Sequence, residues 1–308
     1  MFVADAHCDT LYRLAISDDL QKGVPEAQGH CAVSAETLAA GHVGLQTFAL
    51  FTGRTGPAGT PYLDALKMIR AAAQVDVPIL TKALPADPPK EPSGIFSCEG
   101  GEMLEGSLAR LDEFQSRIKL RIITLTWNHE NEIGYPAAGG SSQGLKPFGI
   151  SLLRKMGQYG ILADTSHLND AGFWDVCEYS ALPPIASHSN CRWLCNVPRN
   201  LTKEQVKALI DRNGFIGVNF YSRFLKENGK TGIDDVVRHI DALCEAGAEH
   251  IIGFGSDFDG IESWPEGLGS PANFPDLLEA LSRRGYSQEQ LEGIAGMNFW
   301  NLLKRVEV

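Results

Sequence analysis

The sequence predicts an α/β fold of the closed (β/α)8 type, a TIM barrel, on three observations. Eight short β-rich runs alternate with amphipathic helical patterns from one end of the chain to the other. Several of those runs are continuously apolar, as parallel strands covered on both faces must be; Ile122-Ile123, Phe215-Ile216-Gly217-Val218 and Ile251-Ile252 are examples. No Gly-x-Gly-x-x-Gly follows the first strand, where Asp-Ala-His-Cys-Asp stands instead, so a doubly wound dinucleotide fold is disfavoured.

In chain order, strands are expected over residues 2–7, 43–51, 94–99, 121–127, 160–165, 184–188, 214–221 and 250–256. Leu104, Leu108, Leu111 and Phe114 fall at helical spacing between the third and fourth. Ile150, Leu153 and Met156 do so in a helix opened near Pro147 and ended by Gly160. Val206, Leu209 and Ile210 follow a start at Thr202 with Gln205 three residues on, the glutamine form of the capping box. Val236, Val237, Ile240 and Leu243 stop at Gly247. Long loops over 17–31, 128–144 and 222–232 each follow a strand, which in a barrel places them on the catalytic face. The Pro-rich run 85–92 precedes a strand and reads as a rigid linker on the opposite face.

The 308 residues, 44% hydrophobic and 21% charged, supply a large core, and residues 1–308 are expected to form a single barrel domain without repeats. With 27 basic against 38 acidic residues the net charge is -11, and no local basic patch appears, which argues against nucleic-acid and acidic-membrane partners. No run approaches the roughly 20 apolar residues a membrane helix needs. The N-terminus has no basic stretch before Asp5, so no signal peptide is expected. Seven scattered cysteines then read as reduced thiols in a cytoplasmic protein; a zinc knot from His188, Cys191 and Cys195 lacks a second ligand pair at finger spacing.

Residue types that bind metals stand at the C-terminal ends of strands that are otherwise apolar. His7 and Asp9 end the first, Glu99 the third and His188 the sixth, while His167 follows the fifth and Asp257 the eighth. In a barrel all of them meet at one mouth. Residues i and i+2 of a strand share a face, so His7 and Asp9 can both point inward while Cys8 turns to the helices. Three histidines and two carboxylates exceed what one tetrahedral zinc needs but fit two zinc ions sharing a carboxylate, an arrangement that generates a bridging hydroxide and favours hydrolysis over redox chemistry. A serine hydrolase competes poorly, because Ser187-His188-Ser189 is no nucleophile elbow.

Asp-Ala-His-Cys-Asp-Thr, Ser-Cys-Glu-Gly-Gly, Leu-Thr-Trp-Asn-His-Glu-Asn, Gly-Leu-Lys-Pro-Phe-Gly, Asp-Thr-Ser-His, Ser-His-Ser-Asn, Val-Pro-Arg-Asn-Leu, Gly-Val-Asn-Phe-Tyr and Gly-Phe-Gly-Ser-Asp-Phe-Asp-Gly occur in one order along the chain. In that order they resemble the membrane (renal) dipeptidase family, peptidase family M19, of amidohydrolase-like, metal-dependent barrels. The resemblance implies that His7, Asp9 and a bridging Glu99 hold one Zn2+, and Glu99, His167 and His188 a second. It implies that Arg199 binds the carboxylate end of a dipeptide substrate, through a bidentate guanidinium suited to that task. It matches Asp257 to an aspartate that handles protons and the substrate amine, with Asp259 the lesser candidate. Tyr221 is expected to line the pocket, and a homodimer is suggested by the resemblance alone.

One position departs from the family pattern. Mammalian members carry a histidine directly after Leu-Thr, proposed to steady the oxyanion, whereas this chain has Trp127 there and His129 two residues later. His129 is therefore expected to supply the oxyanion donor, with the indole N–H of Trp127 as the substitute. The implied activity is zinc-dependent hydrolysis of a dipeptide. The alternatives are an amidohydrolase acting on a lactam, an N-acyl amino acid or another small amide, and a non-catalytic metal or ligand binder that keeps the barrel as scaffold.

Overall fold

A computed structural model of the chain describes residues 1–20, 31–53 and 60–308, without the side chains of 16–20. Eight parallel strands close a barrel in sequence order: β1 (Val3–Cys8), β2 (Val43–Phe51), β3 (Ser93–Glu99), β4 (Ile122–Thr124), β5 (Leu162–Asp164), β6 (Ile185–Ala186), β7 (Phe215–Val218) and β8 (Ile252–Phe254). All eight expected strands are present, most of them shorter than expected. The chain leaves the ladder early on the catalytic side, where side chains rather than backbone take over the hydrogen bonds.

The helices are α1 (Thr10–Leu20), α2 (Ala35–Ala40), α3 (Pro61–Ala71), α4 (Leu108–Ile118), α5 (Pro147–Tyr159), α6 (Asp170–Tyr179), α7 (Lys203–Asp211), α8 (Ser222–Leu225), α9 (Ile233–Glu245), α10 (Phe274–Arg283), α11 (Gln288–Glu292) and α12 (Asn298–Val306). The expected stops hold where glycine is needed: Gly160 caps α5 at φ 67°, and Gly247 follows α9 at φ 88°. The capping box at Thr202 is present, with Gln205 N donating to the Thr202 hydroxyl and Thr202 N to the Gln205 side chain. Three expectations are corrected. Leu104 belongs to a separate 3-10 turn, because Glu105 (φ 44°) and Gly106 (φ 70°) break the path into α4. Residues 17–20 of the loop expected from Ser17 belong to α1 instead, and 21–30 lies outside the described residues. The loop expected from Ser222 opens with the single turn α8, whose Lys226 N donates to Ser222 O. Among the described residues no helix is long and apolar enough to cross a membrane.

The barrel interior is stratified, and the tiers follow from strand register. Leu45, Ile95, Ile122, Leu162, Ile185 and Phe215 form an apolar floor, closed from below by Phe299, Trp300 and Leu303 of α12. Two residues further along the same faces stand Thr47, Ser97, Thr124, Asp164 and Ser187, with Thr124 in register with both Glu99 and Asp164. Glu99, two beyond Ser97, opens the top tier. A second apolar shell, including Phe96, Ile123, Ala163 and Ile216, joins the outer faces of the strands to the helices.

On the inward positions of β7 and just beyond β8, glycine replaces a side chain. A Cβ on Gly217 or Gly255 would lie 1.9 or 1.8 Å from the Ser187 carbonyl oxygen, so only glycine lets the backbone after β6 swing into the barrel. Gly255→Ala is expected to destabilise the protein by about 1–3 kcal/mol through overpacking. Gly157→Ala, in the last turn of α5 with its nearest contact at 3.4 Å, should be neutral or stabilising, since alanine is the better helix former. Urea midpoints of the two variants against wild type check the contrast.

Candidate metal centre and substrate cleft

His7 reaches the mouth because β1 carries a bulge. Asp5 pairs with Gln46 and Cys8 with Phe48, so Ala6 and His7 oppose the single Thr47 and His7 is turned onto the inner face. Glu99 needs no such device, being the third inward residue of β3 after Ile95 and Ser97. His167 sits in the turn after β5, where Leu168 N donates to Thr165 O and Ala137 N to His167 O. His188 follows the β6 backbone that Gly217 and Gly255 admit. Asp257 follows β8 in the left-handed region at φ 65°, its N–H donating to His7 O.

These side chains form two lobes around one carboxylate. On one side His7 Nε2 lies 3.6 Å from Glu99 Oε2, 3.4 Å from Asp9 Oδ2 and 3.8 Å from Asp257 Oδ1. On the other, Glu99 Oε1 lies 2.9 Å from His167 Nε2 and 3.5 Å from His188 Nε2. The five residues expected as ligands come together, with Asp257 beside His7 and Asp9, and His188 close to His7 as well as to Glu99.

The donor chemistry fits cations. His167 Nδ1 bonds to Asn128 Oδ1 at 3.0 Å, and His188 Nδ1 to Ser187 Oγ at 2.7 Å, so each ring can keep its proton on Nδ1 and present a bare Nε2. The two Nε2 atoms face one another at 3.0 Å. Burial, with Arg199 and His7 nearby, holds both imidazoles well below their usual range and hence neutral. With both protons on Nδ1, two lone pairs at that distance would repel unless a positive centre lay beside them; with a proton on one Nε2, the pair shares a hydrogen bond. In the other lobe, His7 Nε2 is buried without a hydrogen-bond partner among the described residues. Burial would lower its pKa, but the Glu99 and Asp9 carboxylates override this and raise it well above the usual range. Burial, reinforced by Asp9, pushes Glu99 up to about 8. Burial pushes Asp257 up to about 7 against the pull of His7.

Above the lobes lies a cleft of about 490 Å³, within the usual size range of small-ligand pockets. Arg199 lines it, only 9% exposed, with all three guanidinium nitrogens lacking hydrogen-bond partners among the described residues. The Phe224 ring, 5.3 Å from its Cζ, supports the guanidinium plane, and burial lowers its pKa to about 10, so it stays charged near neutrality. Tyr221 and Trp127 also line the cleft, Trp127 packed edge-on against Phe51 at 5.0 Å.

The family model for membrane dipeptidases, peptidase family M19, matches residues 1–308. The chain belongs to that family. By family it is a metallo-dipeptidase. The M19 chain is 35% identical over 218 residues to an uncharacterized protein of Klebsiella pneumoniae described as lying in the pqqA 5′ region, covering 68% of this chain and 80% of that one. It is 34% identical over 218 residues to an uncharacterized dipeptidase of Schizosaccharomyces pombe, covering 68% of this chain but only 52% of that protein. The crystal structure of a metallo peptidase from Rhodobacter sphaeroides, liganded with a phosphinate mimic of the dipeptide L-Ala-D-Ala, superposes with a TM-score of 0.88 at 25% identity over 99% of both chains.

In this M19 barrel, His129 is an expected site residue that the structure brings neither to the buried cluster nor to the cleft lining. Its side chain is exposed, with its ring 5.5 Å from the Trp127 ring. The cause is local: Asn131 folds the loop back, donating to Leu125 O and accepting from Ile133 N and Gly134 N, so Asn128 turns in and His129 out. Asp259 lines the cleft, but its carboxylate oxygens are engaged by structural donors, accepting from Thr10 Oγ1 (2.7 Å) and Ala32 N (2.7 Å). Asn128 and Asn219 were missed by the sequence reading, although both stand inside quoted motifs beside residues that were chosen. Asn219 Nδ2 donates to Asp257 Oδ2 at 2.9 Å and leaves Oδ1 toward His7.

With His7 and Glu99 both raised, the metal-free cluster retains protons at pH 7 that a cation must displace. Metal binding is therefore expected to release protons near neutrality, and apparent affinity to rise with pH up to about 8. Calorimetric titrations of the chelated protein in buffers of differing ionisation enthalpy check it; a binding heat independent of buffer would contradict the protonation scheme.

Proposed function

We propose that the protein hydrolyses the peptide bond of free dipeptides with two zinc ions, one held by His7, Asp9 and Glu99 and the other by Glu99, His167 and His188. The observation that carries this reading is the split of Glu99, whose two oxygens serve different donor sets at 3.6 and 2.9 Å from the nearest histidine. When bound, metal ions at such a site would supply Lewis-acid polarisation of the scissile carbonyl and would make an attacking water more acidic near neutral pH.

The chain's own residues set the substrate and move the proton. Arg199 grips the α-carboxylate of the second residue: its guanidinium is buried without a hydrogen-bond or ion-pair partner among the described residues, so an incoming carboxylate can bind through two parallel N–H bonds. Asp257 carries the proton between the attacking water and the departing amine. Its Oδ2 is pinned by Asn219, its Oδ1 faces the cluster, and a pKa near 7 suits both receiving and returning a proton. Trp127, Phe51 and Tyr221 wall the cleft and limit water. Fixed recognition of the carboxylate end, in a cleft of this size, excludes long peptides. Trp127 takes the oxyanion-side position in place of the exposed His129.

Elemental analysis after zinc reconstitution should find close to two equivalents in wild type and fewer in Glu99→Gln, whose amide bridges cations poorly. A single metal unchanged by that substitution overturns the two-zinc reading. Arg199→Lys keeps the charge but loses the fork, and should cost about 1.5–3 kcal/mol in kcat/KM on free dipeptides while metal content is unchanged. Amidating the dipeptide's C-terminus should harm wild type far more than the variant. His129→Ala should leave kcat unchanged, whereas Trp127→Phe should lower it; the reverse pattern would return the oxyanion role to His129.

A further inference from the structure

Beneath the metal lobes lies a buried carboxylate that the mechanism above does not use. Asp164, fully buried on the inner face of β5, accepts at Oδ1 from Ser166 N (3.1 Å), Ser166 Oγ (2.8 Å) and Ser187 N (2.8 Å). At Oδ2 it accepts from Thr124 Oγ1 and from Ser187 Oγ (2.6 Å). Ser187 Oγ has a second close partner, His188 Nδ1 at 2.7 Å. A serine hydroxyl carries one proton, so it can donate to only one of them.

The surrounding bonds decide which. Ser166 Oγ already gives its proton to Asp164 and accepts from His188 N at 3.0 Å, so it cannot also supply the Ser187 oxygen, which stands 3.3 Å away. A carboxylate has no proton to give. The hydroxyl of Ser187 therefore points to Asp164, and its lone pair must be met by a proton on His188 Nδ1. Had the serine turned round, Asp164 Oδ2 would face the bare lone pair of an oxygen at 2.6 Å, in a site that water does not reach.

We propose that Asp164 is a positioning residue which, through the Ser187 hydroxyl, holds His188 as its Nδ1–H tautomer and keeps Nε2 open toward Glu99. The tautomer follows from hydrogen bonds alone; its value for metal binding rests on the two-lobe reading given above. The arrangement is a carboxylate–serine–histidine relay rather than the direct carboxylate–histidine pair that commonly orients metal ligands. It also explains why the backbone at Ser187 is drawn into the barrel against Gly217 and Gly255: the serine must sit within reach of both the β5 carboxylate and its own neighbouring ring.

The test is NMR of the full-length, chelated protein labelled with 15N-histidine, using two-bond 1H–15N correlations at pH 7 and the missing signal of His188→Gln for assignment. Wild-type His188 should show Nδ1 protonated and Nε2 bare. Asp164→Asn offers the serine an amide donor in place of an acceptor, so the serine proton should swing to Nδ1 and the ring change to the Nε2–H form. Ser187→Ala should leave a mixture of tautomers, whereas Thr124→Val, which removes a donor to the same oxygen without touching the serine, should keep the wild-type tautomer. Zinc affinity measured by chelator competition should fall on the order of 10–100-fold in Asp164→Asn and Ser187→Ala for one of two equivalents. A wild-type His188 protonated on Nε2 overturns the proposal, even if Asp164→Asn fails to fold. So does a Ser187→Ala protein with wild-type tautomer and zinc affinity. Because the spectra are taken without metal or substrate, they stand or fall apart from the dipeptidase reading.

Discussion

The molecule is organised around one buried carboxylate. Glu99, 3% exposed at the end of β3, shares a closed space with Asp9 and Asp257, and three acids so placed repel one another and lose their hydration. Removing an ion from water costs several kcal/mol even after relaxation, so such a cluster persists only where opposing charge and hydrogen bonds offset it. His7 supplies part of the offset within the protein, and the Nε2 atoms of His167 and His188, turned toward Glu99, are placed where a cation could add to it. The floor of Leu45, Ile95, Ile122, Leu162, Ile185 and Phe215, sealed by α12, is the complement of this arrangement: it closes the barrel from below, leaving the mouth as the route for ligand and solvent.

Between floor and mouth, the polar tier gives the ligands their aim. Asp164 and Asp5 act alike on opposite sides of the barrel. Asp5 accepts from Ser256 N at 2.9 Å, Ser256 Oγ at 2.6 Å and Gln46 Nε2 at 3.1 Å, as Asp164 accepts from Ser187 N and Oγ. In both cases the gripped serine immediately precedes a residue of the cluster, Asp257 or His188. A buried acid that takes both the N–H and the hydroxyl of a serine fixes the peptide leading to the next residue, and with it the direction of that side chain. The serines of Ser-His-Ser-Asn and Gly-Ser-Asp-Phe-Asp thus have a physical role that the motif spacing alone does not disclose.

This division explains what could be read from the sequence. The strands and the gathering of metal-binding residue types at the mouth were legible because each rests on a short-range rule: continuous apolar runs for buried parallel strands, and polar residue types interrupting them at the same end. The bulge that turns His7 inward was not legible, because it is a mismatch between β1 and β2, strands about 40 residues apart in sequence. The exposure of His129 was hidden for a related reason. Its fate is decided by Asn131, which takes Leu125 O and two loop N–H groups, and by Lys146, which reaches Asn131 O at 2.6 Å and Glu130 Oε1 at 2.6 Å and holds that part of the loop on the outside. Proximity in sequence to a motif position placed His129 near the site, but the turn chemistry of a residue two further on governed its direction.

The pair Asp257 and Asp259 shows the same principle in its smallest form. They lie two residues apart after β8, both in the left-handed region at φ 65° and 67°, and nothing in their types separates them. Their donors do. Asp259 meets the Thr10 hydroxyl and the backbone N–H groups of Ala32 and Val33, so both of its oxygens are committed to joining the β8 loop to the start of α1 and the segment before α2. Among the described residues the Asp257 carboxylate meets one hydrogen-bond donor, Asn219, at Oδ2, and that asparagine is itself fixed by Asn190 Oδ1 accepting from its N–H at 3.0 Å. The oxygen left over faces His7. Local donors take up both oxygens of Asp259, whereas Asp257 keeps one oxygen turned to the cluster, and that difference in environment separates two residues of the same type.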